Sequence, residues 1–141
     1  MSAASPDPGQ LDAEAIPLRI NLMGESGQLD IDVTRDTDRV VLSLDGELDM
    51  ATAPRLQSAI DELALTAMPA MVLDLRELQF IDSTGLRVIL AALQSARDRG
   101  QEFAITRGSP QVERLLSITG VTEHLRTIAT PDQALLDGRS D

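Results

Sequence analysis

One short motif, Asp82-Ser83-Thr84-Gly85, carries side chains that could do chemistry. Its serine could be a nucleophile, but Ile81 stands where a nucleophile elbow needs its first glycine. The motif also differs from the D-[ST]-G of aspartic proteases, because an extra residue separates Asp82 from Gly85. The spacing therefore argues against both enzyme classes.

Ser83 stands at the junction between a predicted strand and a predicted helix, which leaves two interpretations of it. In the structural one, Ser83 is the N-cap, and its hydroxyl accepts a hydrogen bond from an early helical N–H. In the functional one, Ser83 is a phosphoacceptor, because the N–H groups and the dipole of a helix N-terminus accommodate a phosphate. The local pattern alone favours the structural interpretation.

Few other side chains are candidates for chemistry. His124 is the single histidine, cysteine is absent and all 12 basic residues are arginines. These counts argue against histidine or thiolate metal sites and against Schiff-base chemistry, so no cofactor or metal is expected. We expect His124 to be an exposed loop residue, Asp74 to be a structural carboxylate bonded to backbone N–H groups, and Asp49 to be either a helix cap or a functional residue. Three methionines are expected to fill apolar space: Met50, Met68 and Met71.

The charge of the chain limits its partners. Among 141 residues there are 23 acidic and 12 basic side chains, a net charge of −11 at pH 7. Such a field repels phosphate backbones and anionic membranes, and 2 Phe with no Trp or Tyr offer little stacking surface, so no nucleic-acid binding is expected. No signal peptide or bilayer-spanning apolar run is recognisable. We therefore expect a cytoplasmic protein without direct membrane insertion.

Hydrophobic periodicity predicts strands and helices in alternation after a polar N-terminal segment. Period-two alternation from Leu29 begins a hairpin, and three later strands alternate with helices. Thr130 and Gln133 stand at capping-box spacing, with a proline at the first helical position, and predict a last short helix. The predicted strands begin near Leu29, Val40, Met71, Glu102 and Leu125, and the predicted helices near Thr52, Ser83, Ser109 and Thr130.

These elements predict a single α/β domain over residues 28–137. Its mixed sheet has about five strands, in an initial hairpin and then β-α units, and is packed with about four helices. Residues 1–27 are rich in Ser, Ala, Pro and Gly and are expected to be a mobile tail, although Leu18–Leu22 could form a short strand. Residues 138–141 are expected to be a short C-terminal tail.

Several segments together resemble the STAS domain of bacterial anti-sigma factor antagonists. The most specific is Phe80–Leu90, with its Asp-Ser-Thr-Gly-Leu core, and the resemblance extends from roughly Leu29 to Leu136. Arg87 departs from the pattern, because some members of the family have a small residue there. The other matching segments are Gly46–Asp49, Val72–Leu75, Ser109–Gly120 and Asp132–Leu135.

The resemblance implies a phosphorylatable binding module and not an enzyme. In the family, the unphosphorylated protein binds an anti-sigma factor and releases the sigma factor. That anti-sigma factor is also a serine kinase, which phosphorylates the serine after the aspartate, and a metal-dependent serine phosphatase reverses the step. The matching phosphoacceptor is Ser83, with Thr84 as the less favoured alternative. The partner-binding residues implied are Asp49, Asp82, Ser83, Thr84, Leu86 and Arg87.

Two other functions stay open on the sequence. STAS domains also serve as unswitched scaffold subunits in larger complexes, including stress-sensing assemblies and lipid-transport machinery. Ser83 would then be only a helix cap. A hydrolase centred on Ser83 would have to use His124, the single histidine, and has little support.

Overall fold

The computed structural model describes residues 17–20, by their backbone, and residues 29–135. These ranges hold six strands, three α-helices and one short 3-10 turn. In chain order they are β1 (Pro17–Ile20), β2 (Leu29–Arg35), β3 (Val40–Leu48), α1 (Ala53–Ala64), β4 (Ala70–Ile81), α2 (Ser83–Asp98), β5 (Glu102–Thr106), α3 (Pro110–Ile118), the turn Val121–Glu123 and β6 (Arg126–Ile128).

All six strands lie in one sheet, and strands that are neighbours in the chain are neighbours in space. β2 pairs antiparallel with β1 on one side and with β3 on the other, and β3 to β6 are parallel. The mixed α/β sheet predicted from the alternation of elements is therefore confirmed. β1 lies within the segment predicted to be a tail and pairs with β2 from Pro17 opposite Thr34 to Ile20 opposite Ile31. The rest of that segment, like residues 138–141, lies outside the described residues.

The sheet buries apolar side chains on both faces, because successive residues of a strand point to opposite sides. On one face, residues such as Ile31 and Leu73 form the main core with the inner sides of all three α-helices. On the other face, Val72 and Ile128 belong to a smaller cluster that Leu135 covers. Within the described ranges, the helices are too short or too polar to cross a membrane.

The helix predicted to open at Thr130 is wrong for the described residues, which form a turn up to Leu135. Gln133 does reach back along the chain, since its Oε1 accepts the Ala129 N–H at 2.8 Å, although a capping box would use the N–H of Thr130. However, the buried Arg39 guanidinium donates to the carbonyls of Pro131 and Gln133 at 2.9 and 2.7 Å. A helix would need these same carbonyls for its own ladder, so Arg39 holds the turn against the sheet instead.

Candidate functional site

The residues expected to form the site lie where two neighbouring parallel strands end. β3 ends at Leu48 and β4 at Ile81, and these two residues are register partners. Each strand is followed by a helix, α1 after a short loop (residues 49–52) and α2 after a single residue. The loop before α1 and the first turn of α2 therefore lie side by side at the carboxyl edge of the sheet, the edge where open α/β sheets place their binding residues.

Asp82 joins these two elements through one carboxylate. It is the N-cap of α2 with an extended backbone, and its Oδ1 accepts the Gly85 N–H at 3.0 Å. Its Oδ2 accepts the Met50 N–H of the loop at 3.2 Å. The Asp82 N–H in turn donates to the Leu48 carbonyl at 3.1 Å. The start of α2 is thus fixed to the end of β3 and to the loop that follows it.

Ser83 is the first residue of α2 and not its N-cap. The structural interpretation of Ser83 is therefore wrong, and the physical reason is that the Asp82 carboxylate already caps the helix. Ser83 is exposed, and its hydroxyl makes no hydrogen bond with residues 17–20 or 29–135. Thr84 beside it is half-buried. The hydroxyl of Ser83 therefore faces solvent at a helix N-terminus without a structural task.

Asp49 holds the loop before α1 in shape. Its Oδ1 accepts the N–H groups of Ala51 and Thr52 at 3.0 and 3.1 Å. Thr52 is fully buried, and its hydroxyl donates to the Glu47 carbonyl and accepts the Asp49 N–H, both at 2.9 Å. Thr52 is the N-cap residue of α1, as expected, although its side chain makes no capping hydrogen bond. The loop is therefore preorganised by its own side chains.

Gly85 allows α2 to begin close against β3. A Cβ built on Gly85 would lie 2.6 Å from Leu48 Cγ and 2.8 Å from the Leu48 carbonyl oxygen. Both distances are well inside van der Waals contact, and one of the atoms belongs to the backbone. Only glycine fits here, because the first turn of the helix packs directly on the chain at the end of the strand.

The remaining two residues expected to contact a partner, Leu86 and Arg87, differ in exposure. Leu86 is 7% exposed and packs in the main core, so it does not lie on the surface with the others. Arg87 is exposed, four residues after Ser83 on the same helix. The exposed face of α2 continues to Leu90, which is 38% exposed. The structure therefore brings together Asp49, Asp82, Ser83 and Thr84, with Arg87 one turn further along.

Two residues contribute to this edge in ways that the sequence analysis missed. Met50 was expected to fill apolar space, but it is 71% exposed on the loop beside Asp82, so that prediction is wrong. Its position between a strand end and a helix cap was the available signal. Gln111 of α3 makes two hydrogen bonds to the backbone of Ile81, at 2.9 and 3.1 Å. Nothing in the local pattern around Gln111 indicates this contact.

Asp74 lies in the middle of β4, away from this edge, and acts as a structural carboxylate. It is 7% exposed and accepts hydrogen bonds from the Thr106 hydroxyl at 3.1 Å, from Ser43 at 3.2 Å and from Arg76 Nε at 2.9 Å. Burial opposes ionisation of the carboxyl, but the hydrogen bonds and charge of Arg76, with help from Thr106, outweigh it and lower the pKa of Asp74. The carboxylate thereby ties together β3, β4 and β5.

Ser83 and His124, the two residues that a hydrolase would need, lie far apart. His124 is exposed, as expected, and its backbone carbonyl accepts a hydrogen bond from Arg97 at 3.2 Å. Arg97 lies in the last turn of α2 and Ser83 in the first, roughly 20 Å apart along the helix axis. His124 therefore cannot act as a base for Ser83. The described residues also contain no group of three or more His, Cys, Asp or Glu that could hold a metal ion.

The family is settled by comparison with known proteins. The model of the STAS domain matches residues 29–134. The chain belongs to the STAS domain family. The anti-sigma-B factor antagonist of Listeria monocytogenes is 35% identical over 89 residues, which cover 63% of this chain and 78% of that protein. The anti-sigma-F factor antagonist RsfB of Mycobacterium tuberculosis is 33% identical over 67% of this chain and 77% of its own length.

Solved structures agree with the fold of this STAS domain. An anti-sigma factor antagonist from Mycobacterium paratuberculosis superimposes with a TM-score of 0.70 at 30% identity, covering 79% of this chain and 94% of that one. The anti-sigma factor antagonist SpoIIAA in its unphosphorylated form gives a TM-score of 0.66 at 20% identity, covering 79% of this chain and 97% of that one. At that lower identity the likeness establishes the fold.

Proposed function

We propose that this STAS domain is an anti-sigma factor antagonist that is switched off by phosphorylation of Ser83. When unphosphorylated, it binds an anti-sigma factor in the cytoplasm and thereby releases a sigma factor. The observation that carries the proposal is the exposed hydroxyl of Ser83 at the start of α2, which has no hydrogen bond to the described residues, in a family whose similar members are named anti-sigma factor antagonists. In this proposal the domain contributes a substrate hydroxyl and a binding surface, and no catalytic group.

The chemistry of the switch belongs to its partners. The proposed anti-sigma factor is also a serine kinase, which transfers the γ-phosphoryl group of ATP to Ser83 Oγ while ADP leaves and a kinase base takes the hydroxyl proton. A metal-dependent serine phosphatase restores serine and inorganic phosphate by hydrolysis. Ser83 suits the transfer because its hydroxyl is exposed and has no hydrogen bond to break with any residue that the structure describes. Thr84 is the less favoured acceptor because it is half-buried.

The proposed binding surface, which we name the antagonist surface, consists of Asp49, Met50, Asp82, Ser83, Thr84 and Arg87. Leu86 is left out because its side chain belongs to the core. The antagonist surface combines an exposed thioether with hydrogen-bonded carboxylates that the fold holds in place. Preorganised side chains lose little freedom on binding, which favours recognition by a rigid partner.

Phosphorylation weakens binding through charge alone. A phosphoserine adds about −1.5 to −2 charges at pH 7. In the free domain the α2 dipole offsets part of that charge by about 0.3–1 kcal/mol, while Asp82 and Asp49 oppose it. Burying the phosphate unpaired against a partner costs on the order of 2–5 kcal/mol. Since 1.4 kcal/mol is a factor of ten, the affinity falls roughly 30-fold to several-thousand-fold without any change of fold.

The test is a pull-down from the lysate of the native host, with wild type, Ser83→Ala and Ser83→Asp as baits. We expect a small ATP-binding kinase to be retained by Ser83→Ala and lost by Ser83→Asp. The dissociation constant of the complex with this kinase should be at least 30-fold higher for Ser83→Asp than for Ser83→Ala. Ser117→Asp is the matched control, because Ser117 is an exposed serine on α3 and its new charge lies outside the antagonist surface.

The same experiment separates the switch from an unswitched scaffold. If both Ser83 variants retain one large complex with equal affinity, the switch proposal is wrong and Ser83 has no regulatory role there. If Ser117→Asp weakens binding as strongly as Ser83→Asp, net charge and not position causes the effect. Incubation of the isolated kinase with Ser83→Ala and Thr84→Ala, followed by mass spectrometry, identifies the acceptor hydroxyl.

A further inference from the structure

Arg87 is an exposed cation placed on the same helix as Ser83 and one turn beyond it. Helix residues four apart are neighbours on the surface, with Cβ atoms about 5–6 Å from each other. Helical Cα–Cβ bonds tilt toward the N-terminus, so a long side chain at position 87 extends back over the first turn, where Ser83 lies. The helix geometry therefore puts a guanidinium within reach of the Ser83 hydroxyl.

Within the described residues, Arg87 has no hydrogen bond or ion pair. Other arginines of the domain are engaged: Arg76 pairs with Asp74, and Arg39 binds Asp38 and two backbone carbonyls. An exposed arginine without such contacts has none to break when an anion appears beside it, and the only cost is that of ordering its side chain. Arg87 is therefore available to a new negative charge in the first turn of α2.

The carboxylates near Ser83 are already occupied by backbone donors. Both oxygens of Asp82 accept N–H groups, from Gly85 and from Met50. Asp49 accepts N–H groups of its own loop. Glu47, at the end of β3, is exposed. A phosphate on Ser83 would thus add negative charge to an acidic edge, and Arg87 is the nearest cation on its own helix.

We propose that Arg87 is the intramolecular counter-ion of phosphorylated Ser83. The planar guanidinium would bind two phosphate oxygens by charge-assisted hydrogen bonds, a pairing that its geometry favours. The inference rests on the proposed function, since it concerns the modified state of the same serine. It adds that phosphorylation alters the antagonist surface twice: a dianion is introduced, and a cation that the unphosphorylated surface offers to a partner is withdrawn.

The experiment installs phosphoserine at position 83 during translation, so that no partner kinase is needed. The second pKa of the phosphate is then measured by phosphorus NMR in wild type, Arg87→Gln, Arg87→Lys and Arg97→Gln, at a physiological ionic strength of about 0.15 M. A nearby cation favours the dianion and lowers this pKa, so its removal raises it. We expect Arg87→Gln to raise the phosphate pKa by about half a unit, which matches an exposed ion pair, and Arg87→Lys to restore most of the shift.

Arg97→Gln is the matched control, because it removes the same charge from the other end of the same helix. Position 97 is farther from the phosphate on Ser83 than the Debye length at physiological salt, so the phosphate of the Arg97→Gln variant should titrate as in wild type. A second readout is the Arg87 side-chain N–H signal, which should shift on phosphorylation in wild type. Equal phosphate titration in Arg87→Gln and Arg97→Gln, with an unmoved Arg87 signal, would overturn the inference. Because phosphoserine is installed directly, that result is independent of whether any kinase modifies the unphosphorylated domain.

Discussion

At the scale of single residues, the candidate site depends on which of two adjacent side chains, Asp82 or Ser83, caps α2. Asp82 caps α2 and holds the loop through Met50, and the hydroxyl of the neighbouring serine has no hydrogen bond within residues 17–20 and 29–135. If Ser83 were the cap, phosphorylation would remove a helix-stabilising hydrogen bond and would couple the modification to stability. Because Asp82 is the cap, phosphorylation of Ser83 would leave the capping hydrogen bond of α2 in place.

A second carboxylate, Asp74, gives a residue-scale prediction about pH. Its pKa is lowered in the fold, so the ionised form contributes stability above the ordinary aspartate range, and this contribution is lost as the pH falls through the folded pKa. Asp74→Asn removes the charge that pairs with Arg76 and replaces one of the two acceptor oxygens by an amide donor, so it should cost about 1–3 kcal/mol of unfolding free energy at pH 7. We expect the gap between wild type and variant to narrow below about pH 4.

Urea denaturation at pH 7, 5, 4 and 3 measures this gap. Asp61→Asn is a suitable control, since Asp61 is exposed on α1 and its substitution should change stability by less than about 0.5 kcal/mol. A gap between wild type and Asp74→Asn that stays constant over the whole range would contradict the assignment. The carboxylate would then not be ionised in the fold to a greater extent than in the unfolded chain.

At the scale of elements, periodicity and turn chemistry were sufficient for the order of strands and helices but not for their ends. β4 runs from Ala70 to Ile81, well past its predicted apolar stretch, because β3 continues beside it as far as Leu48. The segment at Thr130 has the residue spacing of a capping box, yet Arg39, distant in the chain, binds the carbonyls of Pro131 and Gln133. Long-range partners of this kind leave no local signal.

The candidate site was predictable to a similar extent. The motif located Ser83 and the resemblance supplied its neighbours, since both depend on sequence order. The helical spacing of Leu86, Ile89 and Leu93 is typical of an inward face, and the burial of Leu86 agrees with that pattern rather than with a contact role. The capping role of Asp82 depends on backbone conformation at a helix start, where a serine and an aspartate are both good caps. Which of the two residues, Asp82 or Ser83, caps the helix can be read only from the structure.

The contact between α2 and β3 gives a prediction at the element scale. Gly85→Ala should destabilise the domain by about 1–3 kcal/mol, because the new methyl group overlaps Leu48 Cγ and the Leu48 carbonyl. It should also weaken partner binding, since the start of α2 carries Ser83. Leu48→Ala in the same chain removes the side-chain overlap but not the carbonyl contact, so it should rescue part of the loss. A double-mutant cycle by urea denaturation measures this coupling, and strict additivity of the two changes would contradict the close contact.

At the scale of the whole molecule, the net acidic charge and the packing around Ser83 affect the proposed switch in different ways. A net charge of −11 favours encounter with a basic partner surface and disfavours nucleic acid. Phosphorylation makes this charge more negative by up to about two units, a small change to the total. In the proposed switch, the effect of phosphorylation on binding is therefore local, at the antagonist surface, and not a consequence of the overall field.

The fold itself should stay the same when Ser83 is phosphorylated. Asp82 holds the start of α2 by hydrogen bonds, Gly85 packs it on β3, and Gln111 binds the last residue of β4, so no bistable element lies beside the serine. We expect amide chemical-shift changes between the serine and phosphoserine forms to be confined to residues 49–52 and 82–87. Two-dimensional nitrogen–proton NMR of the two forms measures this, with phosphoserine at position 117 as a control that should perturb α3 instead. Large shifts spreading into β5 and β6 would mean that the switch works by rearranging the sheet, and a direct charge block at the antagonist surface would then be the wrong mechanism.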